Sequence, residues 1–292
     1  MRSSPRLLAI LQAVFVTFLW STSWVLIKRN INEIPPLTFA GLRYSIASLI
    51  LLPNLLKHKK EVRSLSSKDW RRLIVLGIVF YTLTQGGQFI TLKYLEAITF
   101  SLLLNFTTLL VAVFGILVLK ETPSRLQWAG IFVFIVGVLV YFRPHKIISG
   151  DWFGFALAGF TVCANAISAV LGRSVNRGGR ISPMIVTVIS MGVGAIILLG
   201  IGLVFQGFPS VSPSGWLTII WLAIANTAFA FLLWNKTLQI LSAVESSIIN
   251  STMLIQIAVL AWVFLGEGIS LYNLIGLTFA AVGVILVNLK PA

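Results

Sequence analysis

Long apolar runs separated by short polar gaps form the pattern of this 292-residue chain. A helix of about 20 apolar residues crosses the roughly 30 Å of hydrocarbon in a bilayer. Ten runs are close to that length: residues 7–27, 37–56, 72–92, 97–119, 126–142, 152–171, 183–205, 216–238, 244–265 and 271–289. The pattern therefore predicts an all-α integral membrane protein with ten transmembrane helices, and the gaps are too short to hold a soluble domain.

One pattern occurs twice in the chain, at a constant offset of 146 positions. The stretch from Leu95 to Glu121 recurs from Leu241 to Glu267, and about 18 of the 71 positions from 70 to 140 are identical to their counterparts. Repetition over this length indicates two half-size copies of one fold. We therefore predict two repeats of five helices each, residues 1–146 and residues 147–292.

Composition favours a membrane protein over a nucleic-acid-binding protein. Hydrophobic residues are 58% of the chain and charged residues 10%, whereas soluble domains carry about 25% charged residues. The net charge of +14 lies in short gaps between apolar runs, so no basic face is continuous enough to follow a phosphate backbone. We expect the lipid bilayer as a partner and no nucleic acid. Cys163 is the single cysteine, which excludes an intrachain disulfide.

The positions of lysine and arginine predict how the chain crosses the membrane. If the N-terminus is cytoplasmic, 16 of the 22 basic residues fall on the cytoplasmic side and 5 on the outer side, with Arg43 inside a helix. This distribution fits the positive-inside rule, so both termini are expected in the cytoplasm, beneath the cell (inner or plasma) membrane. Five is an odd number, so the second repeat must enter the bilayer from the opposite side. Inverted repeats of this kind can open a shared site alternately to the two sides.

Several motifs resemble those of the EamA family within the drug/metabolite transporter superfamily. The first run carries WSTSW (20–24) followed by Lys28, and the second begins at Pro36 and contains Arg43. The fourth and ninth runs end in LKET (119–122) and LGEG (265–268), and the fifth and tenth share a pair of glycines seven positions apart. The order and duplication of these motifs over the whole chain carry the resemblance.

The resemblance implies a basket of ten helices around a central cavity and the export of small metabolites such as amino acids. Analogy at the level of the fold names no single substrate. Ser21 departs from the glycine usual in the family, and a proline that kinks the fourth and ninth helices in relatives is replaced by Thr108 and Leu254. We therefore assign the weak point of the bundle to Gly86 and Gly87 in the third run.

Polar side chains within the runs should face a cavity or one another, because lipid does not solvate them. Amides, hydroxyls and indoles recur on single faces of several runs. Our candidate substrate-binding residues are Trp20, Trp24, Arg43, Tyr81, Gln85, Gln88, Asn105, Asn165, Asn226 and Asn250. Such a lining suits uncharged or zwitterionic organic solutes. The alternative is hydrogen bonding between helices for each amide, and interior packing or interfacial anchoring for the tryptophans.

Three charged residues have two interpretations each. Arg43 lies roughly 10 Å from the outer end of the second helix, at 1.5 Å per residue, where it could bind a carboxylate in the cavity or reach helix-end carbonyls and the surface. Glu121 and Glu267 lie at symmetric helix ends on opposite faces of the membrane. They could tie helix ends together or act as gates.

The remaining motifs narrow the function. No zinc motif, phosphate-binding glycine loop or nucleophile with a base is present, so we expect no enzyme activity, no metal and no cofactor. All acidic residues lie near helix ends or in loops, away from the midplane where proton relays place them. The sequence predicts a secondary-type carrier, a monomer or homodimer, that exports or exchanges a small organic metabolite. The alternatives are a multidrug exporter of the same fold and a membrane sensor or scaffold.

Overall fold

The computed structural model describes residues 5–111, 124–147, 152–176, 179–241, 246 and 249–288, and the regular structure in these ranges is helical. The helices are α1 (Pro5–Asn30), α2 (Pro36–Lys57), α3 (Lys59–Arg63), α4 (Ser67–Tyr94), α5 (Ala97–Val111), α6 (Arg125–Ile147), α7 (Trp152–Asn176), α8 (Pro183–Gln206), α9 (Pro213–Ile240), α10 (Ile249–Leu265) and α11 (Leu271–Asn288). The predicted runs 97–119 and 244–265 each extend past the described residues at one end, and Glu121 lies outside them.

Six of the described helices are long and apolar enough to cross a membrane: α1, α2, α4, α7, α8 and α9. Shorter apolar segments lie in α5, α6, α10 and α11. Large apolar side chains are exposed on these helices, among them Phe132 (69%), Ile196 (74%) and Val204 (78%). A surface of this kind is costly in water and favourable in lipid.

Local sequence fixes several helix starts. Proline is the first residue of α2, α8 and α9, where its missing N–H costs nothing and its φ suits a helix. The hydroxyls of Ser182 and Ser212 accept hydrogen bonds from the first turns of α8 and α9. Ser66 and Asp69 form a capping box at the start of α4, which satisfies two backbone donors.

Both α4 and α9 contain a π-helical segment, and the two segments correspond under the 146-position offset of the predicted repeats. These segments are Gly77–Gln85 and Ile224–Phe229. In each, a threonine hydroxyl donates to the carbonyl five residues earlier: Thr84 to Val79 and Thr227 to Leu222. A π turn widens the helix and is frequent at functional sites. Single-residue turns also interrupt α5 at Asn105 and α10 at Thr252.

Helices that occupy equivalent places in the two repeats pack directly on each other. α2 packs along α8, and α6 packs along α11. Glycine permits both approaches, because a Cβ on Gly41 would lie 2.5 Å from the Leu199 Cα, and one on Gly276 would lie 2.7 Å from the Tyr141 N. Small residues let membrane helices approach to backbone contact.

The bundle has two ends, which we name after a basic residue at each. At the Lys28 end, Lys28 contacts the α4–α5 link and Glu33 accepts a hydrogen bond from the Ser212 N–H, 2.5 Å away. At the Arg173 end, Arg173 contacts the last turn of α9, and Arg180 forms an ion pair with Asp69. These contacts thus join loops and helix ends at the two ends of the bundle.

Candidate functional site

A cavity of about 390 Å³ lies between the helices of the two repeats. Its lining comes from α1, α2, α4 and α5 of the first repeat and from α7, α8, α9 and α10 of the second. It runs from Ile27 and Leu92 near the Lys28 end to Arg173 and Leu238 near the other end. This volume is in the range of about 300–1,000 Å³ that is typical of small-molecule sites.

One wall of the cavity is aromatic and is centred on Phe231. The Phe231 ring lies 4.9 Å from the Trp20 ring, 5.4 Å from the Tyr81 ring and 5.5 Å from the Phe80 ring, centroid to centroid. Trp234 lies 5.1 Å from Trp20 on the same wall. Rings at these distances and tilts stabilise one another, and they present a rigid apolar surface to the cavity.

Amides complete the lining, and some of them also join helices. The Gln85 Oε1 accepts a hydrogen bond of 2.7 Å from the Tyr44 hydroxyl. The amide nitrogen of Gln85 takes no part in this bond. The Asn165 Nδ2 donates to the Thr107 Oγ1 at 3.1 Å and so links α7 to α5. The Asn105 Nδ2 donates to the Ser101 carbonyl one turn earlier. Gln88 and Asn250 line the same cavity.

Arg43 is the cationic side chain at the Lys28 half of this lining. It is 3% exposed. Its Nε donates to the Thr227 Oγ1 at 2.6 Å, and its Nη2 lies 3.1 Å from the Asn226 carbonyl and 3.5 Å from the Ser23 Oγ. The Asn226 carbonyl belongs to the π segment of α9. Arg43 therefore ties α2 of one repeat to the irregular turn of the other.

Contacts of the same type lie near the two ends of the cavity. The Lys28 Nζ donates to the Leu92 and Leu95 carbonyls at 2.6 and 2.8 Å. The Arg173 Nη1 donates to the Leu238 carbonyl at 2.7 Å. Leu92 and Leu238 occupy equivalent positions in the two repeats, at the opposite ends of the bundle. A cation thus binds the end of α4 at one end and of α9 at the other.

Glu267 reinforces the Lys28 end. Its two carboxylate oxygens accept hydrogen bonds from the Ala97 and Ile98 N–H groups at 2.8 and 2.9 Å, so it caps the start of α5 from the other repeat. Burial raises the pKa of Glu267 above its ordinary value, although the two N–H donors and Lys28 oppose the increase. Its geometry is that of a tie between helix ends, one of the two roles that the sequence leaves open.

A family model describes this chain twice over. The model of the EamA-like transporter family matches residues 7–143 and again residues 152–289. The chain belongs to the EamA-like transporter family. It is therefore a multi-pass helical membrane transporter and not an enzyme, and the resemblance that the motifs suggest is confirmed.

Individual relatives of this EamA chain cover nearly all of it at low identity. An uncharacterized transporter, YvbV of Bacillus subtilis (strain 168), is 28% identical over 99% of this chain and 94% of its own length. A probable amino-acid metabolite efflux pump of Salmonella typhimurium is 24% identical over 77% of this chain and 76% of its own. A solved crystal structure has the same fold, with a TM-score of 0.69, 20% identity and 97% of each chain covered.

Most of the predicted binding residues of this EamA chain line the one cavity. These are Trp20, Trp24, Arg43, Tyr81, Gln85, Gln88, Asn105, Asn165 and Asn250. Asn226 is fully buried outside the lining, and its Nδ2 donates to the Leu19 carbonyl and, at 3.0 Å, to the Thr22 Oγ1. It bonds helix to helix, which is the alternative that the sequence leaves open for each amide.

We expect Asn226→Ala to lower stability without changing solute affinity. The Leu19 carbonyl would lose its cross-helix donor, and interhelical hydrogen bonds in membranes contribute about 0.6–2 kcal/mol each. Thermal unfolding in detergent measures the loss, and solute affinity in nanodiscs serves as the second readout. A tenfold loss of solute affinity with an unchanged thermal midpoint would contradict this prediction and would show that Asn226 belongs to the binding site.

The Gly86–Gly87 pair lies in regular helix directly after the π segment of α4. A Cβ on Gly86 would lie 2.9 Å from a Leu198 methyl, and one on Gly87 would lie 2.5 Å from the Thr161 Oγ1. The pair thus packs α4 tightly against α8 and α7. The irregular turns of this EamA bundle fall elsewhere, in the π segments and at Asn105 and Thr252, and a gating role for the glycines stays a prediction.

Sequence reasoning missed several residues of the lining. Phe231 and Trp234 lie inside an apolar run, where packing against other helices explains an aromatic residue equally well, yet they form the aromatic wall. Asn235 is also in the lining and bonds to Thr187 and Asn176. The repeat held the one available signal, because position 231 is the equivalent of Gln85.

Proposed function

We propose that the protein is a secondary-type carrier that exports or exchanges a small organic metabolite by alternating access. The cargo class is an amino acid or a related neutral or zwitterionic solute. The observation that carries the proposal is the cavity of about 390 Å³ that both repeats line with indoles, phenyl rings and amides. A solute of that size finds flat apolar contact on one wall and hydrogen-bonding groups on the others.

The proposed mechanism needs two inverted halves, residues 1–146 and 147–292, with ten membrane crossings. The packing of α2 on α8 and of α6 on α11 supports this, because each pair joins equivalent helices as a pseudo-two-fold axis requires. The contacts of Lys28 and Arg173 support it as well, since they repeat one interaction at opposite ends. Each contact joins two helices of the same half, so both contacts can persist while one half rocks against the other.

Both chain termini are proposed to lie in the cytoplasm. In support, Ala9 and Ala13 of α1 pack against Leu241, which places the start of α1 at the Arg173 end of the bundle. The basic cluster of residues 57–72 lies at the same end, because Asp69 within it pairs with Arg180. Positive charge of this kind favours the cytoplasmic side.

The name of the Salmonella relative, a probable amino-acid metabolite efflux pump, supports an amino-acid-like cargo. A multidrug exporter is the second candidate, and the observation that favours it is the broad aromatic wall, which accepts many apolar shapes. The two functions differ in selectivity, since a metabolite carrier should discriminate sharply between solutes that differ in one polar group.

Counterflow in proteoliposomes tests the carrier directly. Vesicles loaded with unlabelled amino acids, nucleosides or cationic dyes are diluted into trace labelled solute, and a carrier gives transient, saturable accumulation of the label. Accumulation of one solute class supports the metabolite carrier, and accumulation of most apolar cations supports the multidrug exporter. Conductance that does not saturate, or no flux of any solute, contradicts the proposal.

We expect Gln88→Ala to lower the transport rate about five- to tenfold while the protein folds normally, because a hydrogen bond to a polar cargo contributes about 1–1.5 kcal/mol. Gln85→Ala, Asn165→Ala and Asn250→Ala should act in the same direction. The matched control is Gln256→Ala. Gln256 accepts a 2.8 Å hydrogen bond from Ser21 between α10 and α1, outside the cavity. If all four lining variants transport like wild type, these residues do not form the binding site.

A further inference from the structure

Arg43 presents a buried positive charge to the cavity without an acidic partner. Its described partners are the Thr227 hydroxyl, the Asn226 carbonyl and the Ser23 hydroxyl, all of which are neutral. The ion pair found among the described residues, Arg180 with Asp69, lies at the other end of the bundle. Burying a guanidinium without a counter-charge costs several kcal/mol, so the site is electrostatically incomplete.

The hydrogen-bond geometry of Arg43 leaves one side of its guanidinium available. Nε and Nη2 donate to the three neutral partners, whereas Nη1 forms no hydrogen bond to any residue that the structure describes. Arg43 is part of the cavity lining although it is 3% exposed. A guanidinium held rigidly by two of its nitrogens is preorganised to bind an anion with the third.

We propose that Arg43 binds a carboxylate of the transported solute, so that the cargo carries one carboxylate and a flat apolar body, which narrows the proposed class of amino acids and related solutes. This inference rests on the proposed carrier function and names the cargo of the same cavity. Arg173 lies at the other end of the lining and donates to the Leu238 carbonyl. On the Arg43 side one guanidinium balances one negative charge, which favours a single carboxylate over a dianionic phosphate ester in so apolar a site. The carboxylate lies at the Arg43 side, and the flat body lies on the Phe231 wall.

The surroundings of Arg43 fit this division of the cavity. Its guanidinium carbon lies 5.3 Å from the centre of the Tyr44 ring and 6.0 Å from that of Phe89, where ring faces stabilise a cation without neutralising it. The Tyr44 hydroxyl donates to the Gln85 Oε1, so the Gln85 amide nitrogen remains as a second donor in the lining. The Arg43 guanidinium and the Gln85 amide nitrogen are both hydrogen-bond donors, and together they favour an anionic group on the solute.

The test compares the affinities of acid and amide pairs that differ in charge but not in shape. The probes are benzoate with benzamide, phenylacetate with phenylacetamide, and 3-phenylpropionate with 3-phenylpropanamide, titrated into wild type in nanodiscs at pH 7. A hydrogen-bonded charge contributes about 1.5–3 kcal/mol, so we expect at least one acid to bind about 10- to 100-fold more tightly than its amide. Equal affinities in every pair, or no binding of any acid, overturn the proposal.

Substitution separates charge recognition from folding. In Arg43→Gln the preference for the acid should fall to less than about threefold, and in Arg43→Lys it should be intermediate, because lysine keeps the charge but not the planar fork. Arg125→Gln, at an exposed position outside the cavity, is the control and should keep the wild-type ratio. An unchanged ratio in Arg43→Gln also overturns the proposal.

If Arg43→Gln does not fold, a competition experiment on the wild-type protein still tests the proposal. Formate, but not formamide at the same ionic strength, should displace the bound aryl acid from wild type, and failure of that competition overturns the assignment. Counterflow of neutral solutes by wild type would leave the carrier function in place in that case. No counterflow of any solute would instead contradict the proposed function.

Discussion

Gly276→Val and Gly283→Val are expected to lower the thermal stability of the folded protein strongly. α6 and α11 touch through these glycines, and a Cβ on Gly276 would lie 2.7 Å from the Gly137 carbonyl oxygen and from the Tyr141 N. A Cβ on Gly283 would lie 2.7 Å from the Gly130 carbonyl oxygen. Backbone atoms cannot move aside as a side-chain end can, so the two helices must separate.

The expected cost of each substitution is about 3 kcal/mol, the upper part of the usual range for overpacking. At 2–4 °C per kcal/mol for chains of this order of size, the thermal midpoint should fall by roughly 6–12 °C. Fluorescence size-exclusion chromatography after heating measures the shift. Gly159→Val and Gly200→Val are the controls, because a Cβ at either position would meet no atom of a neighbouring helix within 4 Å. Equal midpoints for all four variants would contradict the close packing of α6 on α11.

Glu267→Ala is expected to lower the free energy of unfolding by about 2–6 kcal/mol. The Ala97 and Ile98 N–H groups would lose their acceptors. Each unsatisfied buried donor costs about 1–3 kcal/mol. Glu267→Gln should cost less, because one amide oxygen can still accept. Thermal unfolding in detergent measures both. Glu33→Ala is the control at an exposed loop, where Glu33 accepts a hydrogen bond from the Ser212 N–H. Equal midpoints for Glu267→Ala and Glu33→Ala would contradict the capping role.

The raised pKa of Glu267 predicts that the stability of the protein depends on pH. Burial is the largest influence on the pKa of Glu267 and raises it above 4.5, with Glu96 acting in the same direction and Lys28 against it. The folded state therefore holds more protons than the unfolded state between 4.5 and the raised pKa. The unfolding free energy of wild type minus that of Glu267→Gln should fall as pH rises through this window. A difference that grows with pH would contradict the raised pKa.

Hydropathy and repetition were sufficient to predict the class of this protein. A helix that crosses the bilayer needs about 20 apolar residues, and its backbone N–H and C=O groups must be hydrogen-bonded within the helix. A membrane helix can therefore be recognised from local sequence. Motif order was sufficient for the family, which the match over residues 7–143 and 152–289 shows. The number of crossings and the inversion of the halves stay predictions from the same patterns.

Individual site residues were harder to predict. Whether a side chain faces the cavity or another helix depends on how the neighbouring helix packs as well as on the helix that carries the side chain. Asn105 and Asn226 look alike in sequence, because each is an amide with apolar residues on both sides in its run. In the structure Asn105 lines the cavity, whereas Asn226 bonds to Leu19 and Thr22. The difference arises from the crossing of α9 over α1, and local sequence does not encode that crossing.

By itself, the sequence determined that this chain is helical and lies in lipid, and it predicted two related halves, because each of these properties depends on residues close together in the chain or on their repetition. Only the tertiary structure decided which groups meet. It brought Arg43 to the π turn of α9, Phe231 to Trp20, and Glu267 to the start of α5. These contacts join residues about 170–210 positions apart, and they form because helices from both halves must pack around one cavity.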